Sequence, residues 1–241
     1  MNIKTIAMIM GWGLALAGLS GAQEAEPSRP TGTLSAGLTL TDGNSDTLMA
    51  DVGLNAEFKP GAHEWLFAAS SAYGEQSDDK NVDNSKAKLN YRRLLDPTWF
   101  VFGEISYARD DIATVDYRYV LSAGPGAYLF KTPAVSLSAE FGPAMIWDKV
   151  GGENDERFSL RFAERFEWAI GEGAKFWQSC EFLPTADDWD DYLINTEVGA
   201  EAPLAGRISL RLLAKHAHDS TPAEGLKKND LSVVAGVGIG F

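Results

Sequence analysis

Apolar and polar residues alternate with period two along most of this chain. The C-terminal segment shows it most clearly. Leu231, Val233, Ala235, Val237, Ile239 and Phe241 share one parity, and Ser232, Val234, Gly236, Gly238 and Gly240 share the other. Side chains at alternate strand positions point to opposite faces, so this pattern predicts a strand with one apolar face. Further upstream, Trp99, Val101, Gly103, Ile105 and Tyr107 repeat the design with aromatics at both ends. At about 3.3 Å per residue and about 40° of tilt, such a stretch spans roughly 20 Å, close to the apolar band of an outer membrane. Trp65, Phe67, Ala69 and Tyr73 do the same. Leu48, Ala50, Val52, Leu54, Ala56 and Phe58 alternate with Asp51, Gly53, Asn55 and Glu57. Phe158, Leu160, Phe162, Phe166 and Trp168 alternate with the basic row Arg157, Arg161 and Arg165.

The periodicity predicts strands over 32–41, 47–58, 63–74, 84–95, 98–109, 115–130, 133–147, 156–170, 174–184, 189–201, 206–217 and 229–241. The fold class expected is therefore all-β: a transmembrane antiparallel up-and-down β-barrel of about 12 strands, an even count as single-chain bacterial barrels have. The connections alternate in character. KPGA, LDPT, KTPA, GEGA and PLAG are short Pro/Gly turns. TDGNSD, GEQSDDKNVDN, RDDIATVD, WDKVGGENDE, TADDWDD and HDSTPAEGLKKND are mostly longer and hold twenty of the 34 acidic residues. Short turns face the periplasm and long loops face outside, which puts both ends of the barrel in the periplasm.

The start of the chain changes the picture from a barrel to an exported barrel. Residues 1–22 read as a signal peptide, with Lys4, an apolar run from Ile6 to Leu19 and small residues Ser20, Gly21 and Ala22. That run is shorter than the roughly 20 residues a membrane helix needs. Residues 23–31 form a polar periplasmic leader, and 32–241 form the barrel. The expected location is the bacterial outer membrane. A net charge of −13 excludes nucleic acid as a partner. The single Cys180 excludes an intrachain disulfide and suits packing rather than catalysis. A barrel whose last strand ends on an aromatic residue is read by the outer-membrane insertion machinery, so Phe241 marks that partner. Outer-membrane lipid and lipopolysaccharide are the others. No cofactor or metal ligand set stands out.

Some positions depart from the pattern. Arg93 and Glu164 fall on the lipid face. Arg93 lies near a short turn and can snorkel; Glu164 calls for a bulge in its strand to turn it inward. Pro125 and Pro143, each beside glycine, remove ladder hydrogen bonds and predict bulges or bends.

The stretch TGTLSAGLTLTDGNSDT, with Gly43, Asn44, Ser45, Asp46 and Thr47 at its turn, resembles the opening of the salt-induced outer-membrane protein family, domain of unknown function 481. NYRRLLDPTWFVFGEISYARDD and YRYVLSAGPGAYLF are similar to this family as well. The resemblance covers most of 32–241. It implies an outer-membrane barrel and no mechanism.

The inward face is strongly charged. Candidate pore-lining residues are Lys86, Lys88, Arg92, Glu104, Arg118, Glu140, Arg157, Arg161, Arg165, Glu181 and Arg211. Two readings stand side by side. The charges line a narrow solute or ion channel, with the arginine row as contact site. Or they pair across the ladder, Arg157, Arg161 and Arg165 with Glu140 and Glu181, in a closed barrel that stabilises the envelope. In that second case the acidic loop with Asp187, Asp188, Asp190 and Asp191 could bridge divalent cations and lipopolysaccharide, though it lacks the spacing of an EF-hand. An enzyme is not expected. His63 sits at a turn, and His216 and His218 merely neighbour Asp219 and Ser220 in sequence.

Overall fold

A computed structural model describes residues 29–42, 47–76, 79–171 and 173–241. The expected signal peptide (1–22), most of the leader and the turn residues Gly43, Asn44, Ser45 and Asp46 lie outside the described residues. Twelve strands follow one another: β1 (Thr31–Asp42), β2 (Thr47–Phe58), β3 (His63–Gln76), β4 (Asp79–Leu94), β5 (Trp99–Asp110), β6 (Val115–Lys131), β7 (Val135–Val150), β8 (Glu153–Ile170), β9 (Ala174–Pro184), β10 (Tyr192–Ala205), β11 (Ile208–Asp219) and β12 (Asn229–Gly240). Each pairs antiparallel with the next, and β12 pairs with β1 to close the barrel. Closure satisfies both edges of every strand, as hydrocarbon surroundings require. The seam is pinned at its end: Gly32 N–H donates to Phe241 O (3.2 Å) and Phe241 N–H to Gly32 O (3.0 Å). Only glycine fits there, because a Cβ on Gly32 would lie 2.5 Å from the Phe241 ring.

The alternation sorts the two faces as expected. Leu34, Leu38, Ile105, Leu121, Leu210 and Val237 are exposed on the outside. Trp65, Trp99 and Trp168 mark the short-turn end of that band, and Tyr73, Tyr107, Tyr119 and Trp147 the other. Most of the buried residues lie inside the barrel, among them two apolar clusters separated by charged side chains.

Three expectations need correcting. The long acidic loops are partly strand. β7 continues to Val150 and β8 starts at Glu153, so Gly151 and Gly152 (φ 61° and 86°) close a two-residue hairpin where a loop was expected. β4 likewise begins at Asp79, held by buried Val82. Second, Pro125 and Pro143 interrupt the β6–β7 ladder as expected, but without a bulge. The β6–β7 register is the same on both sides of them, but pairing lapses over 123–125 opposite 141–143, where Gly124 and Gly142 let the backbones touch. The bulges of β6 lie elsewhere, between Val115 and Tyr117 and between Tyr128 and Phe130. Third, β8 runs in unbroken register against β7, so Glu164 stays on the outer face. It accepts a hydrogen bond from Gln178 Nε2 (2.5 Å) instead of turning inward.

Candidate functional site in the barrel lumen

Arg157, Arg161 and Arg165 stand four residues apart on β8 and share its inner face, roughly 13 Å from one to the next along the strand. They therefore enter the lumen at three heights. Each meets a different set of partners.

At mid-height Arg161 uses all three guanidinium nitrogens. Nε donates to Glu181 Oε2 (2.6 Å), Nη1 to Glu140 Oε2 (2.7 Å) and Nη2 to Glu104 Oε2 (3.1 Å). The planar fork suits this division among several carboxylates. Lys88 Nζ reaches Glu104 (3.1 Å) and Glu181 (3.3 Å), and Arg92 Nε donates to Glu140 (2.8 Å). Asn90 Nδ2 donates to Glu104 (2.9 Å). Three cations thus face three carboxylates, with Phe102 under Arg161 at 5.2 Å. Arg161, Glu104 and Glu140 are almost wholly buried. Lys88 on β4 and Glu181 on β9 are five strands apart around a ring of twelve, so their contact crosses nearly the whole lumen.

At the short-turn end, buried Glu64 accepts from Tyr128 Oη and Lys131 Nζ (3.0 Å), and Arg92 Nη1 donates to Tyr128 Oη (3.1 Å). Phe100 packs on Tyr128 with ring centroids 5.2 Å apart. Arg165 pairs with Glu167 (2.7 Å). A polar cavity of about 260 Å³ opens here between Lys59, Glu64, Arg92, Lys131 and Arg165.

At the far end, buried Asp148 accepts from Arg118 Nε (2.7 Å) and Arg157 Nη2 (2.8 Å). Arg118 Nη2 also reaches Asp219 on β11 (3.1 Å), a second contact across five strands. Arg157 Nη1 donates to Asp191 (3.0 Å) in the loop before β10. Burial pushes the Asp191 carboxyl up, but hydrogen bonds from Thr221, Thr185 and Arg157 outweigh it and hold the group below the usual carboxylate range. Val120, Ile146 and Leu183 pack there inside the barrel on β6, β7 and β9, against Leu193 of β10.

The opposite wall differs. Its inner face on β10, β11, β12, β1 and β2 carries Gly199, Ser209, Gly236, Gly238, Ser35, Gly37 and Gly53. Asn55, Lys86 and Asn195 point inward yet are exposed, so space lies before them. Trp177 reaches over from β9, lying against Gly199 with Nε1 donating to Glu197 (2.8 Å). Arg211 sits 5.3 Å over that ring and donates to Ser35 Oγ (3.1 Å). Among the described residues no ion pair holds Lys86 or Lys215; Lys86 interacts electrostatically with Lys215, Asp110 and Asp230.

All eleven residues singled out from the sequence project inward. Six of them (Lys88, Arg92, Glu104, Glu140, Arg161 and Glu181) form the middle network, and Arg118 and Arg157 belong to the far cluster. Arg165, Lys86 and Arg211 stand apart. The pairing of Arg161 with both Glu140 and Glu181 is present; Arg157 and Arg165 have other partners. Asp148, Asn90, Tyr128 and Trp177 were not anticipated. Asp148 shares the parity of Glu140 and was readable once β7 was extended; an inward aromatic has no such signal. The histidines form no triad: His216 and His218 both contact Asn229 Oδ1 (3.0 and 2.8 Å). Among the described residues no group of His, Cys, Asp or Glu is arranged to hold a metal.

A family model described as "Protein of unknown function, DUF481" matches residues 34–241. The chain is 25% identical over 196 residues to the uncharacterized protein YdiY of Escherichia coli (strain K12), a match covering 80% of this chain and 75% of that one. Among solved structures it is similar to the NanC porin, with TM-score 0.57 and 12% identity over 86% of this chain and 98% of that one. It is also similar to the KdgM porin in complex with disordered oligogalacturonate, with TM-score 0.51 and 9% identity over 87% and 99%. At those identities the likeness is one of fold.

Proposed function

Since the chain belongs to the family described as protein of unknown function DUF481, we propose its function from its lumen: a narrow, off-centre outer-membrane channel for small polar solutes or ions. The apolar outer band and aromatic ends fit a bilayer, and porins share the fold. Export by the signal peptide, contact with lipopolysaccharide, and reading of the last strand at Phe241 by the insertion machinery complete this reading.

The observation that carries it is the difference between the two walls. The Lys88–Glu181 contact divides the lumen at mid-height. On one side the cross-section is filled by the Arg161 network. On the other the inner face has Gly37, Gly53, Gly199, Gly236 and Gly238 among its charged Glu197, Glu201, Arg211 and Lys215, and inward Asn55, Lys86 and Asn195 remain exposed. A barrel of this size has room for more than its own side chains where glycines line it. Lys86, Lys88 and Arg211 line that passage, and Arg92, Glu104, Glu140, Arg161 and Glu181 form its fixed wall. Arg118 and Arg157 sit at its outer mouth, and Arg165 at the inner one.

The charge-balanced network also favours a second reading, a closed barrel whose cross-links stiffen the envelope. Single-channel recording separates them. Mature protein refolded and inserted in a planar bilayer gives small discrete current steps if the passage is open. Inserted protein that carries no current leaves the closed barrel.

A further inference from the structure

The outer face carries one polar feature that the barrel architecture does not require. Glu164 lies four residues from Trp168, which puts it roughly 10 Å above the short-turn aromatic ring and near the middle of the apolar band. Its sole hydrogen bond among the described residues comes from Gln178 Nε2 (2.5 Å) on β9. Cys180 stands directly opposite Glu164 in the ladder, and Thr196 Oγ1 lies 3.7 Å from the Cys180 sulfur. A carboxyl, an amide and a hydroxyl therefore share one small lipid-facing patch. Hydrocarbon offers them no partner, and ionisable groups at that depth are costly and normally face protein.

The surface around the patch has matching relief. A ridge of Phe162, Phe182 and Trp189, with centroids 6.1 to 6.4 Å apart, stands beside it. Next to the ridge a groove of about 490 Å³ is floored by Gly126, Ala127 and Ala139. Small residues let another surface approach closely, and polar side chains then bond across the contact.

We propose that the outer face of β6–β10 is a two-fold interface with a second copy of this chain inside the membrane, centred on Glu164, Gln178 and Cys180. The occupant must itself live at membrane depth, which excludes soluble proteins. It must offer hydrogen-bond donors there, which acyl chains do not. A second copy offers both, because a two-fold contact brings the same patch against itself. The Gln178 amide of one protomer then serves the Glu164 carboxyl of the other, and each aromatic ridge enters the facing groove. This rests on the outer-membrane reading but not on an open passage.

The test uses the mature chain at low density in phosphatidylethanolamine/phosphatidylglycerol vesicles. Flotation first shows insertion. Counting photobleaching steps on singly labelled protein then gives two steps for the native chain. Copper-phenanthroline joins the two Cys180 thiols as a disulfide, which two protons and two electrons leave as it forms, giving a dimer band on a non-reducing gel. Glu164→Leu and Ala139→Trp, which remove the polar centre and fill the groove, both return single steps and no band while still floating. Native protein that floats but bleaches in one step overturns the interface and shows lipid covering this face. Protein that does not float overturns the membrane reading with it.

Discussion

The two walls of the lumen follow the same alternation and close the same barrel, yet they do opposite things with their inner positions. Along β4–β9 those positions carry Arg, Lys, Glu, Asn and Phe, and the side chains meet across the interior. Along β10–β2 glycines (Gly37, Gly53, Gly199, Gly236 and Gly238) interrupt the larger side chains, and the interior before Asn55 and Asn195 is empty enough to expose them. Inner-face volume, not strand count, decides which part of a twelve-stranded barrel is solid. The middle network of the filled wall sets three cations against three carboxylates, so its charges are structural, whereas Lys86 on the border has no ion pair among the described residues.

That comparison can be broken most forcefully at Arg161. Arg161→Leu leaves three carboxylates, Glu104, Glu140 and Glu181, with only Lys88 and Arg92 to balance them, and removal of one partner of a buried ion pair costs about 3–5 kcal/mol. Urea unfolding in detergent should show a loss of that size. Next in effect, Gly53→Phe should nearly abolish single-channel current with little loss of stability. A Cβ there meets only the movable Ser35 hydroxyl at 3.0 Å and Ala69 O at 3.8 Å, so the ring projects into open space. Lys88→Met removes the contact that divides the lumen, and the expected result is larger current steps and a shift toward cations. Its stability cost is smaller than that at Arg161 because the Lys88 side chain is 40% exposed and screened. Lys86→Glu should move reversal potentials toward cation selectivity while stability stays within about 0.5 kcal/mol.

The smallest effect concerns the outer mouth. The Asp191 carboxyl is held below its ordinary range by Thr221, Thr185 and Arg157 although burial opposes this. A depressed folded pKa means that its stabilisation is present above the ordinary carboxylate range and is lost as pH falls through the folded value. Hydrogen exchange of loop 185–191 should therefore stay slow at neutral pH and quicken only in strong acid. Quickening already near pH 6 contradicts this assignment.

The strands were legible because period-two alternation is a direct consequence of having lipid on one face and a lumen on the other. Eleven of the twelve begin within three residues of the starts the pattern marked, but the acidic hairpins misled. Charged residues at 79–84 and 148–156 look like loop, yet beyond the bilayer a strand may carry charge on both faces and still pair. Glu164 misled for the opposite reason: a local rule demanded a bulge, while its cross-strand neighbour Gln178 supplied a partner without one. Of the site, parity identified the inward charges but not their grouping. Lys88 and Glu181 lie 93 residues apart in the chain and meet only because the ring closes. The inward aromatics Tyr128 and Trp177 were hidden, since aromatic residues on strands suit the lipid face equally well.

The division of the lumen is tested most directly by thiol accessibility in the inserted protein. In a Cys180→Ser background, Asn55→Cys places a thiol on the open wall and Ser122→Cys places one in the filled wall, where Ser122 is 3% exposed. A charged methanethiosulfonate added to the bath should react rapidly with the first and cut the current, and leave the second untouched. Equal reactivity at both positions, or none at either, contradicts a lumen that is half solid and half open.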